Sequence, residues 1–414
     1  MTSDAAPAPQ PLAGVRVLDL SRVLAGPWCS QTLADLGADV TKVERPGSGD
    51  DTRAWGPPYL KDTAGADTTE AAYYLATNRN KRSITIDIAQ PQGQALVRQM
   101  AASSDVFIEN FKVGDMARYG LDAASLLALN PRLVYCSITG FGQDGPYRER
   151  AGYDYAIQAM GGLMSVTGER DDRPGGGPQK VGVAVADLFT GMYATVAILA
   201  ALRHAEATGQ GQAIDMALLD TQVAMLANLG ANYLATGISP QRAGNAHQNV
   251  VPYQVFRAAD GHFILAVGND RQFAKFCAVA GLPELARDPR FETNAGRVRH
   301  REALIPLLLP VVAARSQADW LKALEAVQVP CGPINNLAEV FADPQVRARE
   351  MSVSLPHPLS CDGVHLVASP MKLSATPVQY RRPPPLLGQH TDEVLRELGL
   401  SAADIATLRH QRAI

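Results

Sequence analysis

The sequence predicts an α/β fold, with a doubly wound parallel sheet in a large domain and a smaller α+β domain beside it. Three observations predict this class. Apolar runs typical of strands alternate with helical segments over the first 141 residues, a hairpin pattern appears only beyond residue 250, and the 414 residues are 46% hydrophobic. A chain of this length and composition has enough apolar material for two or three separate cores.

The N-terminal half contains strand and helix patterns in alternation. Strands are predicted at Val15–Leu20, Asp39–Glu44, Ser83–Ile88, Asp105–Asn110 and Leu133–Phe141. Helices are predicted between them at Trp28–Leu36, 93–103 and Ala123–Leu129. Because strand, helix, strand units connect parallel strands with a right-handed crossover, this order favours a Rossmann-like sheet.

The second half changes in character. VGVAVA at Val181–Ala186 predicts a further strand, followed by Asp187 and a helix of about 18 residues. A second helix is expected over 219–235, then a hairpin that turns at Asp260-Gly261, and a last helix opening at Thr391 after a proline-rich tail. The predicted organisation is a disordered tail at 1–10, a large domain at 11–225 completed by 333–414, and a linker and small α+β domain at 226–332.

Composition excludes several classes of function. The 38 Lys+Arg and 41 Asp+Glu residues give a net charge of −3, which lacks the basic excess of a nucleic-acid-binding protein. The five cysteines contain no CxxC pair, and the first ten residues lack the pattern of a signal peptide, so we expect a cytoplasmic protein. Apolar stretches are expected to fall short of the roughly 20 residues of a bilayer span. The eight isolated histidines and the absence of HExxH or GxSxG predict neither a metal site nor a Ser-His-Asp triad.

Basic residues follow or flank the predicted parallel strands, where such sheets bind ligands. This placement is compatible with a phosphorylated ligand and equally with solvated surface charge. A dinucleotide is disfavoured, because the first turn, SRVLAGP, has a single glycine and its Pro27 has no N–H to donate.

Asp187 is the candidate for chemistry. As a carboxylate between a predicted strand and a long helix, it suits the N-cap position, where it would accept amide hydrogen bonds. Capping and the helix dipole are expected to keep it ionised at neutral pH. Both a purely structural cap and a reactive carboxylate remain open at this point.

Several long motifs, in order, resemble the class III CoA-transferases, the family of formyl-CoA and carnitine-CoA transferases. They are PLAGVRVLDLSRVLAGPWCSQTLADLGADVTKVERPGSGDDTR, TNRNKRSITIDI, DVFIENF, SITGFGQDGP, AGYDYAIQAMGGLMSVTG and VADLFTGMYA. Later stretches, ANYLATG, VPYQVFRAADG, CGPINN and RPPPLLGQHT, are most similar to the succinyl-CoA:glutarate branch, whose substrates are dicarboxylates.

The resemblance implies roles for individual residues. It makes Asp187 the nucleophile, with Tyr153 and Asp154 as an active-site pair beside it, although relatives often have Glu at the latter position. It implies a coenzyme A site, with coenzyme A as substrate and no tightly bound cofactor or metal, lined by Val23, Ala25, Arg45, Asn78, Lys81, Asn110, Phe111 and Arg118. A loop at Gly244–Asn249 replaces a glycine-rich lid of the family, and a dicarboxylate is expected to meet Arg242, Gly244 and His247.

The resemblance also implies an intertwined homodimer in which each chain forms a ring threaded through the other. The expected reaction moves CoA from succinyl-CoA to a dicarboxylate such as glutarate. Two alternatives stay open: an acyl-CoA racemase on the same scaffold, disfavoured because no histidine lies near Asp187 before His204, and a CoA-binding protein without catalysis.

Overall fold

The computed structural model describes residues 9–414, and these form two compact units. The large unit contains the chain up to residue 162, residues 182–231 and residues 347–414, whereas the small unit contains residues 163–181 and 232–346. The division differs from the predicted domains mainly in residues 163–181, which leave the large unit and pack with the small one. The predicted disordered tail lies largely outside the described residues.

The two units together contain thirteen strands and eighteen α-helices in the described range. The strands are β1 Arg16–Asp19, β2 Asp39–Glu44, β3 Tyr59–Lys61, β4 Asp67–Ala71, β5 Lys81–Thr85, β6 Val106–Glu109, β7 Val134–Thr139, β8 Gln212–Ala217, β9 Tyr253–Arg257, β10 His262–Ala266, β11 Cys331–Pro333, β12 Ser352–His357 and β13 Ser360–Val367. The helices are α1 Ala25–Asp35, α2 Ala72–Leu75, α3 Pro91–Ala101, α4 Asp115–Arg118, α5 Ala123–Leu129, α6 Asp154–Met160, α7 Leu163–Val166, α8 Val185–Thr208, α9 Leu218–Ala224, α10 Ala227–Thr236, α11 Asp270–Ala280, α12 Asn294–Arg299, α13 Arg301–Ala313, α14 Gln317–Ala326, α15 Leu337–Ala342, α16 Pro344–Ala348, α17 Thr391–Glu397 and α18 Ala402–His410.

A six-stranded sheet forms the centre of the large unit. Its strands run in the order β5-β2-β1-β6-β7-β8 and every adjacent pair is parallel, so the predicted doubly wound sheet is confirmed. Strand order proceeds outward from β1 in one direction and from β6 in the other. The two strands therefore flank a topological switch point, where open α/β sheets bind their ligands.

Adjacent residues of β1 show that both faces of this sheet are covered. Val17 packs into a core with helices α1 and α8, while Leu18 packs into the opposite core with α3 and α5. Both side chains are almost fully buried. Since neighbouring side chains of a strand point to opposite faces, a strand covered on both sides needs apolar residues on each face, as Val17 and Leu18 provide here.

Helix α8 corrects one predicted strand. VGVAVA was expected to pair in the sheet, but the helix begins within it at Val185, and the sheet position beside β7 is occupied by β8. The alternating Val and Ala residues suit a strand as well as a helix start. The Ala186 N–H bonds to the Asp154 side chain rather than to a neighbouring strand, and this fixes the start of the helix.

Helix α8 packs closely on α1. A Cβ atom added at Gly191 would lie 2.5 Å from the Ala25 carbonyl oxygen and 3.1 Å from the Trp28 ring. Glycine is therefore needed for the two helix backbones to approach this closely. The contact lies one helical turn beyond Asp187, and so it sets the height of that residue above the sheet.

The same helix corrects the expectation about apolar stretches. Helix α8 has 24 residues, of which an 18-residue stretch has a mean hydropathy of 1.7, and it is the one helix in residues 9–414 that is long and apolar enough to cross a membrane. Buried core helices have the same length and composition, so this is weak evidence for a membrane span. Its Ala194 and Ile198 are buried against the core that contains α1.

The small unit has its own sheet and core. The predicted hairpin is confirmed as β9 and β10, closed by a 2.8 Å hydrogen bond from the Ala258 N–H to the Gly261 carbonyl. Strand β11 adds to β10 to give three antiparallel strands. Phe263 and Trp320 stack at 6.3 Å in the centre of the core.

The C-terminal segment returns to the edge of the large sheet. The hairpin β12–β13 lies where the sequence predicted irregular chain, and helix α17 begins at Thr391 as predicted. The His390 N–H donates to the Ser83 carbonyl at 2.9 Å, and the Thr85 N–H donates to the Thr391 hydroxyl at 3.0 Å. These bonds cover the free edge of β5.

Candidate active site

A cavity of about 540 Å³ opens at the switch point of the sheet. The turn after β1 and the residue after β6 meet there, because the Asn110 side-chain amide accepts from the Arg22 N–H at 2.9 Å and donates to the Arg22 carbonyl at 2.7 Å. Seven of the predicted site residues line this cavity, namely Val23, Ala25, Asn110, Phe111, Arg118, Tyr153 and Asp187.

Arg45 lines a neighbouring cavity of about 400 Å³. The two cavities share Arg22, Asp51 and Phe111 as lining residues. Arg45 is exposed at the carboxyl end of β2 and forms no ion pair with any described residue, which leaves its guanidinium available to an anion. Together the two cavities form a continuous groove over the carboxyl ends of β1, β2 and β6.

Further cations line the first cavity. Arg22 and Lys112 are among the basic residues that follow the predicted strands, whereas Arg148 and Arg150 were not selected from the sequence. Arg22 is paired with Asp51 at 2.9 Å and lies over the Phe111 ring at 5.4 Å, while the predicted Arg118 is paired with Asp115 at 2.7 Å. Cations grouped around a groove suit a ligand with several phosphates.

Two predicted ligands, Asn78 and Lys81, do not reach the groove. Both are fully buried, and the Lys81 ammonium donates to the Asn78 side-chain amide oxygen at 2.8 Å and to the Pro27 carbonyl at 3.0 Å. The Lys81 side chain also reaches the Asp19 carboxylate, 3.4 Å away. The expected placement in the groove was wrong because buried polar partners hold these side chains away from it.

Asp187 lies in the first turn of α8, at the cavity wall. It is not the N-cap, as the sequence suggested: that position is Ala184, without a side-chain cap. The carboxylate has no hydrogen bond or ion pair to any residue from 9 to 414. Burial and the nearby Asp154 charge raise the pKa of Asp187 to about 7, so desolvation outweighs the helix dipole that was expected to keep it ionised.

Asp154 fixes the geometry beside Asp187. One of its oxygens accepts the Ala186 N–H at 2.9 Å, and the other accepts the Gln158 side-chain amide at 2.7 Å. Asp154 therefore supplies from another helix the cap that α8 lacks. Both acceptor oxygens are already engaged, which makes it a positioning carboxylate that also repels charge on Asp187.

A backbone contact brings Tyr153 and Asp154 to the end of β7. Cβ atoms built at Gly140 and Gly152 would each lie within 2.4 Å of the other glycine's Cα, so the two chains touch where only glycine fits. Tyr153 follows directly and is 66% exposed, with its side chain along the cavity.

Tyr73 is a further residue of the site that the sequence analysis missed. Burial, together with the charges of Asp187, Asp154 and Asp50, raises the pKa of Tyr73 to about 12. Its ring packs edge-on against Trp55 at 5.2 Å. A tyrosine that stays protonated near two carboxylates is a hydrogen-bond donor. Its position after the β3–β4 hairpin gave no pattern from which to infer this.

Two of the three predicted substrate residues, Arg242 and His247, line a cavity of about 730 Å³ within the small unit, and Gly244 is not among its lining residues. Arg242 is already engaged: it is paired with Asp171 and donates to the Glu169 carbonyl at 3.2 Å. The Gly244 backbone has a φ of +58° beside the Glu169 carboxylate.

The Gly244–Asn249 loop is tied down at its C-terminal end. Arg301 donates to the His247 and Gln248 carbonyls at 3.0 and 2.7 Å, and the Asn294 amide donates to the Asn249 carbonyl at 2.8 Å. These bonds favour a fixed loop over a mobile lid. Among the described residues, no group of three or more His, Cys, Asp or Glu side chains is arranged to hold a metal ion.

A groove lined by cations at the switch point, with a desolvated carboxylate at its wall, suits an enzyme whose substrate carries phosphate groups. The chain belongs to CoA-transferase family III, whose family model matches residues 12–391. The resemblance found in the sequence is thereby confirmed.

Relatives and a solved structure agree with this membership. Succinate–glutarate CoA-transferase of Agrobacterium fabrum is 54% identical over 94% of this chain and 96% of its own length. Succinyl-CoA:glutarate CoA-transferase of Homo sapiens is 44% identical over 94% of this chain and 86% of its own. The crystal structure of a CAIB/BAIF family protein from Brucella suis is 51% identical, with a TM-score of 0.81 over 94% of this chain and 99% of that one.

We predict that Asp187→Asn stabilises the protein above neutral pH. The folded-state pKa of Asp187 is about 7 against an ordinary 3.8, so ionisation opposes folding progressively from about pH 4 to 7 and by a constant amount above. The variant should gain about 2 kcal/mol in free energy of unfolding at about pH 8, and almost nothing at about pH 4. Urea unfolding at both pH values measures this.

The matched control is Asp220→Asn, an exposed carboxylate in the first turn of α9. It should change stability little at either pH. A stabilisation by Asp187→Asn that is equal at both pH values, or that shrinks as pH rises, would contradict the prediction.

Proposed function

We propose that this enzyme transfers CoA from succinyl-CoA to glutarate. The observation that carries the proposal is the unpartnered, desolvated Asp187 carboxylate at the wall of a groove lined by cations. Two relatives at 54% and 44% identity are named for succinate or succinyl-CoA and glutarate, which favours this pair of substrates. The CoA phosphates bind near Arg45 and Arg118, and the thioester lies beside Asp187.

The proposed reaction has four steps and moves no proton. The Asp187 carboxylate attacks the succinyl thioester carbonyl, forming a mixed anhydride and releasing CoA thiolate. The thiolate attacks the Asp187 acyl carbon, giving an aspartyl-CoA thioester and free succinate. Glutarate then attacks this thioester to form a second anhydride and release the thiolate. Finally the thiolate attacks the glutaryl carbonyl, which yields glutaryl-CoA and restores the Asp187 carboxylate.

The electrostatics of the site favour the covalent intermediates. Acylation of Asp187 removes its negative charge, so burial and repulsion by Asp154 destabilise the free carboxylate but not the anhydride or thioester. The raised pKa also makes the carboxylate a stronger nucleophile once it is ionised. Burial and the Asp154 charge therefore both destabilise the free carboxylate and make it a stronger nucleophile.

The proposal includes a homodimer in the cytoplasm. Helix α8 is apolar on both sides, and Phe189, Met192, Tyr193 and Val196 form an exposed stripe at helical spacing. Such a face needs a partner, and a second copy of the chain in the interlocked arrangement would cover it. The five free cysteines suit a reducing compartment.

The deciding experiment is mass spectrometry of the protein after incubation with succinyl-CoA. We expect a CoA adduct on the peptide that contains Asp187, and we expect added glutarate to remove it as glutaryl-CoA. Asp187→Asn should lower transfer by at least about 10³-fold because the amide cannot attack. Asp220→Asn should retain both adduct and activity.

Other outcomes separate the alternatives. Bound CoA without an adduct contradicts transfer and favours a binding protein. Exchange of the α-proton of a chiral acyl-CoA without transfer favours a racemase. If a CoA adduct forms but glutarate does not discharge it, only glutarate as the acceptor is contradicted, and the adduct on Asp187 stands.

We predict that kcat/KM for succinyl-CoA rises with pH and levels off above about 7, because only ionised Asp187 attacks. Asp154→Asn should move the midpoint down by about one pH unit, since it removes a like charge. The asparagine carbonyl still accepts the Ala186 N–H, so α8 should keep its start. A pH–rate profile with an unmoved or raised midpoint in Asp154→Asn would argue against this account.

The dimer is tested by light scattering and by subunit exchange. We expect the mass of two chains, and we expect tagged and untagged dimers not to exchange after prolonged mixing in native buffer. Exchange should occur once the mixture is unfolded in urea and refolded, because interlocked rings separate only by unfolding. A single-chain mass contradicts the dimer, and exchange under native conditions contradicts the interlocking.

A further inference from the structure

The turn Ser21–Val23, which follows β1 and lines the groove, is held by side chains instead of glycines. The Ser21 N–H donates to Asp19 at 2.8 Å, and the Ser21 carbonyl accepts from the Lys42 ammonium at 2.7 Å. Both polar backbone groups of Arg22 bond to the Asn110 amide, as described above. The Val23 N–H is shared between the two Asp50 oxygens at 3.2 and 3.3 Å.

Val23 shows that this turn is strained. Its φ is +72°, in the left-handed region that branched side chains rarely adopt. A glycine-rich turn takes this conformation without cost, but this chain has valine there. The surrounding contacts must therefore stabilise the conformation, as they do for strained residues at ligand sites.

Lys42 and Asp50 are the centre of these contacts. Their charged atoms are 2.9 Å apart and both side chains are completely buried. Asp50 also accepts from the Thr52 N–H at 3.0 Å and from the Thr52 hydroxyl at 2.7 Å. Burial opposes ionisation of both groups, but their partners outweigh it, so that the pKa of Asp50 lies below and that of Lys42 above its ordinary value.

We propose that Lys42 and Asp50 are positioning residues for coenzyme A: together they clamp the Ser21–Val23 turn on both sides and so preorganise the groove that receives it. Lys42 holds the carbonyl of Ser21 directly, and Asp50 holds the N–H of Val23. Neither side chain touches the ligand. The inference rests on the proposed function, because it assumes that the groove binds coenzyme A.

The test compares Asp50→Asn with wild type. The amide keeps an acceptor oxygen but removes the charge opposite Lys42, so the clamp should loosen. We expect the KM for succinyl-CoA and the Kd for CoA, measured by calorimetry, each to rise about tenfold. We expect kcat to stay within about twofold, because Asp187 and Asp154 are unchanged.

The matched control is Asp35→Asn. Asp35 forms a buried pair with Arg79 at 2.6 Å, and it lines neither cavity of the groove. Asp35→Asn leaves the Arg79 guanidinium without its charged partner, so it should change the melting temperature while leaving KM and Kd unchanged. A rise of KM and Kd in Asp50→Asn alone therefore cannot be explained by a general loss of stability.

Thr52→Val provides a milder variant that keeps every buried charge and is expected to fold. It removes only the hydroxyl bond to Asp50, so KM and Kd should rise about two- to threefold. Unchanged KM and Kd in Thr52→Val and in folded Asp50→Asn would overturn the proposal, as would equal increases in Asp35→Asn. If the wild-type protein neither binds CoA nor transfers it, the proposed function itself is refuted. That result differs from the outcomes that overturn only the role of Lys42 and Asp50.

Discussion

Buried charge beneath the carboxyl ends of β1 and β2 is the constraint on which the site depends. Asp19, Lys42 and Asp50 are almost completely excluded from solvent, although each ion loses several kcal/mol of hydration when buried. Apolar side chains of similar size would often be more stable there. They could not, however, satisfy the polar backbone of a turn that has left the sheet. The groove thus has its shape because charged groups lie behind it, and removal of any one leaves another uncompensated.

Above these buried charges lies one carboxylate, Asp187, whose ionised form is destabilised by its surroundings. Asp187 lacks a compensating partner in the described chain, and Asp154, whose oxygens hold the start of α8, is close enough to repel it. Structural and electrostatic roles thus coincide in Asp154. A glutamate at this position would need a different side-chain path to reach the same backbone amide. The Gly140–Gly152 contact places this carboxylate at the end of β7.

Much of the fold could be predicted because its pattern is local. Strands β1, β2, β6 and β7 are short segments that alternate with helical patterns along the chain, and residues that follow them, such as Val23 and Asn110, must lie at the carboxyl edge of any parallel sheet. Lys81 was misplaced because its burial depends on Asp19, 62 residues away, which no local pattern shows. VGVAVA was misread because alternating Val and Ala suit two structures, and the choice is made by a hydrogen bond from a distant helix.

The return of the C-terminal segment to β5 has a consequence for synthesis. His390 and Thr391 bond to strand residues 307 and 306 positions earlier, so the edge of the central sheet is covered only after residues 390 and 391 have been synthesised. During translation, the small unit emerges and can form its own core before this happens. A nascent chain therefore carries an unpaired strand edge for most of its synthesis, which is a hazard for aggregation and a reason for chaperone contact.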